Sequence, residues 1–253
     1  MPLLRDLTWP EARRLLPRGP VLIPTGSTEQ HGLHLPLGTD HLIAERLALD
    51  VADRIGCLVA PTIPYGISSE HRHFPGTMWI SFEAFCSFVG DICISLARHG
   101  ARKTILVNAH GGQQFAVQYL ARQLRDEGIF LGVFEWWEGI TPEFDRDVYG
   151  PAAKHGGHGC VKETAVGLHL FPGLVRQTKA RNLPTNWGPR MGGGVTSLDC
   201  ADFAPHGSIG YPKAATEKMG RTTHAFAVAN LEKYLRHVRR TSLKNLLRTR
   251  IQG

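Results

Sequence analysis

Short apolar runs alternate along this chain with longer stretches whose apolar residues recur at helical spacing, and few folds accept that alternation. Val21-Leu22-Ile23-Pro24, Cys57-Leu58-Val59-Ala60, Lys103-Thr104-Ile105-Leu106-Val107-Asn108 and Ile129-Phe130-Leu131-Gly132-Val133-Phe134 read as buried strands. Between them, Leu42, Ile43, Leu47 and Val51 mark a helix ending near Gly56. Phe85, Phe88, Val89, Ile92 and Leu96 mark a second, capped by Gly100. Phe115, Ala116, Tyr119, Leu120 and Leu124 mark a third, stopped by Gly128. Strand and helix in turn predict an α/β fold with a mostly parallel sheet covered on both faces. A short helix from Trp9 to Leu16 precedes the first strand. Past Trp136-Trp137 the chain reads as irregular to His155, then as a helix that stops before Pro172. Residues 184–212 read as loop and Ala214–Val238 as the last helix. With no repeat, linker or low-complexity segment, residues 1–253 are expected to form one domain.

In an open parallel sheet the chemistry gathers outside the carboxyl ends of the strands, and the loops there are unusual. The first, Thr25 to Asp40, carries Glu29, His31, His34 and Asp40 among glycines and prolines. Glu29 and His31 at alternate positions of an extended segment point the same way. Mixed carboxylate and imidazole donors suit zinc and its divalent neighbours. His34 and His41 read as solvated or supporting groups instead. The segment Ile63 to Trp79, with Ser68-Ser69-Glu70-His71, His73 and Phe74-Pro75-Gly76-Thr77, reads as an active-site loop. His110 follows the third strand in Asn108-Ala109-His110-Gly111-Gly112, and His158 and Glu163 lie in a third glycine-rich loop before a helix. Each has a plainer explanation: a surface pair for Glu29 and His31, a capping residue for His110, a first-turn glutamate favoured by the helix dipole for Glu163. Their convergence on strand-end and helix-start loops is harder to explain that way.

The formal charge of +7 is concentrated near the ends, in Arg13, Arg14 and Arg18 and in Arg236, Arg239, Arg240, Lys244, Arg248 and Arg250. These read as solvated faces, so nucleic acid is not an expected partner. Five cysteines, an odd count without a C-x-x-C pair, argue for a reducing compartment. No segment is apolar enough to span a membrane or to act as a signal peptide, and a cytoplasmic protein is expected.

Glu29-Gln30-His31-Gly32-x-His34-Leu35-Pro36 with Asp40 resembles the signature of the creatininase (creatinine amidohydrolase) family. Phe74-Pro75-Gly76-Thr77, Asn108-Ala109-His110-Gly111-Gly112 and His158-Gly159-Cys160-Val161-Lys162-Glu163-Thr164 resemble its other blocks, in family order. Gly207 to Pro212, with Glu217-Lys218, resembles its late block more loosely. The resemblance implies a three-layer α/β/α sandwich and two divalent metal ions per chain. Zinc ranks first, with manganese or iron(II) as alternatives. It implies that Glu29 and His110 hold one metal, His31 the other, and that Asp40 bridges them. The glutamate that completes the ligand set of the second metal in creatininase is replaced by Gly112, and Glu163 is the candidate in its place. His158 becomes the proton shuttle, with the Gly111 and Gly112 N–H groups as candidate oxyanion donors. Cys160 reads as a packing residue.

The expected activity is therefore metal-dependent amidohydrolysis of a C–N bond in a small molecule, a cyclic amide or formamide. Trimming of a short modified peptide is the alternative, and a non-catalytic binding protein the third reading. Creatinine itself is not the expected substrate. In creatininase a tryptophan and an aspartate occupy the positions of Lys154 and His155, and a tyrosine that of Gly111. Trp136 and Trp137 are the residues able to rebuild an aromatic wall. Lys154 points to an anionic group on the substrate at the cavity mouth. Relatives are commonly homo-oligomeric, and a homo-oligomer is expected.

Overall fold

β1, Val21–Thr25, is buried along its whole length, and its side chains alternate between two hydrophobic cores. Leu22 enters one core, and Val21 and Ile23 enter the other. β3, Lys103–Asn108, does the same: Ile105 and Val107 join Leu22, while Leu106 faces the opposite way. A strand buried on both faces reads as a continuous apolar run for this reason. The computed structural model describes residues 3–154, 156–185, 190–191 and 194–248. His155 and Arg250, named above, lie outside the described residues.

The main sheet has four strands in the order β2-β1-β3-β4, all parallel, with β2 at Leu58–Val59 and β4 at Phe130–Glu135. On the face of Leu22 lie α2 (Thr39–Ile55), α6 (Val161–Leu170) and α8 (Glu217–Arg240), contributing Ile43, Leu47, Val166, Leu231 and Leu235. On the other face lie α3 (Phe82–Arg98) and α4 (Gln114–Asp126), with Phe85, Val89, Val117 and Leu120. Each such side chain contributes about 1.5–3 kcal/mol by leaving water. The result is the three-layer α/β/α arrangement.

Several boundaries differ from the sequence reading. α1, Trp9–Leu15, passes into a 3-10 turn, and α8 begins three residues later than expected. The stretch after Trp137 is not wholly irregular, for α5 covers Pro142–Tyr149. Its start was encoded: Thr141 Oγ1 accepts from Phe144 N–H at 3.2 Å, Pro142 follows, and Glu143 and Asp145 fill the first turn. Its apolar side is short: Tyr149 is buried, and Phe144 and Val148 pack partly buried in the same cluster. Among the described residues of 184–212 are the two-residue strands β5 (Arg190–Met191) and β6 (Gly194–Val195) and the short α7, Cys200–Phe203. A last short helix, α9, covers Leu243–Leu246.

The chain leaves β1 toward β2 on one side and later crosses to β3 on the other. The order of strands therefore reverses between β1 and β3, and a crevice opens beyond their carboxyl ends. That crevice receives the loops after Thr25 and Asn108.

Candidate metal centre

Asp40 reaches the crevice from the first turn of α2, where the helix dipole favours a carboxylate. Its position depends on Gly26. A Cβ there would lie 2.4 Å from the backbone nitrogen of His41 and 2.7 Å from the Cβ of Asp40, so only glycine lets α2 dock so close to β1.

His110 follows β3 and is fixed at both ends. Asn108 Oδ1 accepts from the His110 backbone N–H at 3.1 Å, and Asn108 Nδ2 donates to the His110 carbonyl at 2.9 Å. On the ring, Nε2 donates to the Ile67 carbonyl at 2.8 Å. Nδ1 faces Glu29 Oε2 at 3.2 Å and Asp40 Oδ2 at 3.1 Å. His31 is held likewise. Nδ1 lies 3.1 Å from the Glu29 carbonyl, and Nε2 lies 2.9 Å from Asp40 Oδ1 and 3.9 Å from Glu163 Oε1.

Two clusters of ligand atoms result, Glu29–Asp40–His110 and His31–Asp40–Glu163, sharing Asp40. Glu29 Oε2 and Asp40 Oδ2 are buried with no hydrogen-bond partner. Leaving such atoms unpaired costs about 1–3 kcal/mol each or more for charged groups, so the donor set fits cations. A third cluster joins Glu29, His31 and His158.

The electrostatics follow from this crowding. Burial alone would lower the His31 imidazole, but Asp40, Glu163 and Glu29 outweigh it and raise the group to about 10. Burial also opposes a charged His110, which Glu29 and Asp40 nonetheless hold well above the ordinary value. Burial would raise Asp40, yet His31 and His110 keep it well below the usual carboxylate range. Burial raises Glu163 to about 7 despite the pull of His31. Glu163 also serves the helix, its Oε2 accepting from the Cys160 N–H at 3.3 Å. Its role at the α6 N-terminus and its place in the crevice coexist.

His158 is buried and stacks between His31 and His71, with ring centroids 4.1 Å from each. Its Nε2 donates to the Gln30 carbonyl, and Nδ1 faces Glu29 Oε1 at 3.6 Å. Burial and the neighbouring His31 push it well below 6.5, which leaves it neutral. Cys160 is buried and its thiol is pushed up by burial, as befits a packing residue.

Two residues that the sequence reading named without giving them a role stand in the centre. His71 is buried, and its Nε2 lies 3.5 Å from Glu29 Oε1. Gln30 sets its tautomer: Oε1 accepts from the Gly32 N–H at 2.8 Å, so Nε2 donates to the Gly207 carbonyl at 3.0 Å and to His71 Nδ1 at 2.8 Å. The ring proton of His71 therefore sits on Nε2, facing Glu29. Its place in a glycine- and proline-rich loop before Phe74-Pro75-Gly76-Thr77 was the available signal. Glu70, beside it, lines the cavity.

Of the two alternatives for His34 the structure takes the supporting one: it is buried behind the centre, with Nε2 2.8 Å from Thr164 Oγ1. One expectation is corrected. Lys154 is exposed and is not among the residues lining the cavity, so its support for an anionic substrate is withdrawn. Lys162 lines the cavity instead, with Nζ 2.7 Å from Asp145 Oδ2. The cavity measures about 560 Å³, and Trp136, Trp137, Gly111 and Gly112 help to wall it.

A sequence profile of the family described as creatininase, creatinine amidohydrolase, matches residues 5–235. Creatinine amidohydrolase of Pseudomonas putida is 32% identical over 235 residues, covering 85% of this chain and 88% of that protein. Mycofactocin precursor peptide peptidase of Mycobacterium tuberculosis is 36% identical over 223 residues, covering 82% and 81%. A solved structure described as creatininase with Mn superposes with a TM-score of 0.83 at 28% identity, covering 94% of this chain and 99% of that one. A match from residue 5 to residue 235, with the parallel sheet and the crevice between β1 and β3, places the chain in the creatininase family of hydrolases.

Proposed function

We propose that the chain is a metal-dependent amidohydrolase that cleaves a C–N bond of a small amide or formamide, acting as a single domain over residues 1–253. The observation that carries this reading is the pair of orphaned buried oxygens, Glu29 Oε2 and Asp40 Oδ2, facing His110 Nδ1. Glu29, Asp40 and His110 would hold one divalent ion, and His31, Asp40 and Glu163 the other. The nitrogen and oxygen donors favour zinc, with manganese or iron(II) as alternatives.

Two divalent ions would supply Lewis acidity and lower the pKa of water from 15.7 toward about 7. The remaining work falls to the chain. His158, neutral and held through Nε2 by Gln30, offers Nδ1 to take a proton and pass it to the departing amine. An amide anion leaves poorly, so this transfer is required. The backbone at Gly111 and Gly112 lies along the cavity wall, where N–H groups stabilise a developing oxyanion. His71, with Nε2 turned toward Glu29 Oε1 at 3.5 Å, would hold that carboxylate in place, a positioning role.

A second reading, trimming of a short peptide, is favoured by the likeness to the mycofactocin precursor peptide peptidase and by a cavity of about 560 Å³, ample for more than one small ring. Retention of Glu29, His31, Asp40 and His110 counts against a non-catalytic binder. A homo-oligomer fits the exposed apolar side chains of α3 and α4, where Phe82 meets Tyr119 and Phe88 and Phe115 face outward. Elemental analysis of the purified protein, with assays on formamides, cyclic amides and dipeptides before and after EDTA, tests the proposal. Close to two ions per chain and activity lost on chelation are expected. A metal-free protein whose activity survives EDTA overturns it.

A further inference from the structure

Gly112 and Glu70 occupy neighbouring space in a way that bears on the substrate. A Cβ at Gly112 would lie 2.1 Å from the Ile67 carbonyl oxygen and 2.6 Å from His110 Nε2, so the loop leading to Glu70 closes that position to any side chain. The same Cβ would lie 3.0 Å from Glu70 Oε1. The carboxylate of Glu70 therefore stands beside the backbone at position 112, and both residues line the cavity.

Glu70 belongs to none of the three clusters of ligand atoms. Among the described residues no Lys, Arg or His forms an ion pair with it, and burial raises its carboxyl above the usual value. The other charged wall residue outside the clusters, Lys162, is matched by Asp145. The three carboxylates of the metal clusters and one hydroxide balance two divalent cations, so Glu70 is the acid left uncompensated. A negative charge held in a partly desolvated wall is stabilised most by a cation brought by the ligand.

We propose that Glu70 is a specificity-determining residue that binds an ammonium or amidinium group of the substrate, on the Gly112 side of the metal pair. The inference rests on the metal-hydrolase reading. It gives the substrate a cationic group near the scissile amide, as in a free amine or an aminoacyl compound, and its N–H donors meet the Glu70 carboxylate at the cavity wall beside Gly112.

The test uses two chelating probes of nearly equal shape, β-alanine hydroxamate with its ammonium and butyrohydroxamate with a methyl in its place. Each is titrated calorimetrically into the zinc-loaded protein. The expected result is at least tenfold tighter binding of β-alanine hydroxamate, a preference that Glu70→Gln reduces to within twofold and Glu70→Asp partly retains. Metal content is measured alongside and stays the same in the variants. Equal binding of the two probes by the unaltered protein, or a preference that survives Glu70→Gln, overturns the inference while leaving the metal reading intact. Loss of metal in Glu70→Gln also overturns it, because Glu70 would then be a ligand. If neither hydroxamate binds the loaded protein, the metal-hydrolase reading itself fails and the inference with it.

Discussion

Asp40 Oδ1 lies 2.9 Å from His31 Nε2, while its second oxygen, Oδ2, is buried 3.1 Å from His110 Nδ1 with no hydrogen bond. One carboxylate thus faces both imidazoles, and its removal should affect both halves of the centre. Asp40→Ala is expected to lower metal content from about two ions per chain to below one. His158→Ala should keep its metal and lose about 10²–10⁴-fold in turnover, the usual scale of a lost acid–base group. Elemental analysis beside steady-state kinetics separates the two roles. An emptied site in His158→Ala would make the histidine a ligand, as its cluster with Glu29 and His31 allows.

Glu163→Gln is expected to weaken one ion selectively, by at least about tenfold, and to leave the other in place. The glutamine can still accept from the Cys160 N–H, so α6 keeps its cap. Titration of the metal-stripped protein with zinc reads out the two affinities. Two unaltered sites would remove Glu163 from the ligand set.

His34 supplies a pH dependence of stability. Burial and the nearby His31 lower its imidazole to about 4, against an ordinary value of 6.5. Between those values the unfolded chain binds more protons than the folded one, so stability falls as pH falls from 6.5 toward 4. Thermal unfolding across that range should show the slope, and His34→Asn should flatten it whatever its effect on absolute stability. An unchanged slope would place the titrating group elsewhere.

Creatinine should be a poor substrate, with kcat/KM below about 10⁴ M⁻¹s⁻¹. Gly111 and Lys154 offer no aromatic wall and His155 no carboxylate, so ring stacking and a charged partner are both missing. Each is worth about 1–3 kcal/mol. Trp136 and Trp137 wall another side, and efficient turnover in a steady-state assay would mean that they compensate.

The strands, the two-faced sheet and the loops bearing Glu29, His31, Asp40, His110, His158 and Glu163 were legible because periodicity and strand-end position are local properties. What escaped depends on distant contacts. His71 is placed by Gln30, which in turn is anchored to Gly207, and no local pattern announces that chain. His34 looked like a loop residue because its cover, Thr164 on α6, is remote in sequence. Lys154 and Lys162 are both near the third loop, and only the packed α6 decides which one faces the cavity. α5 was missed because Phe144, Val148 and Tyr149, its only apolar residues apart from the opening proline, are too few to show a period.

The side chains proposed to bind the ions come from the segments after β1 and β3 and from the start of α6, whereas Trp136, Trp137 and Leu198 on the cavity wall come from elsewhere in the chain. Changes in those wall segments leave the backbone that carries the donors untouched. Evolution can then alter what enters the crevice one segment at a time, with no pause in hydrolytic competence. That separation gives a physical reason why proteins named for a cyclic guanidine and for a peptide align with one chain across most of its length.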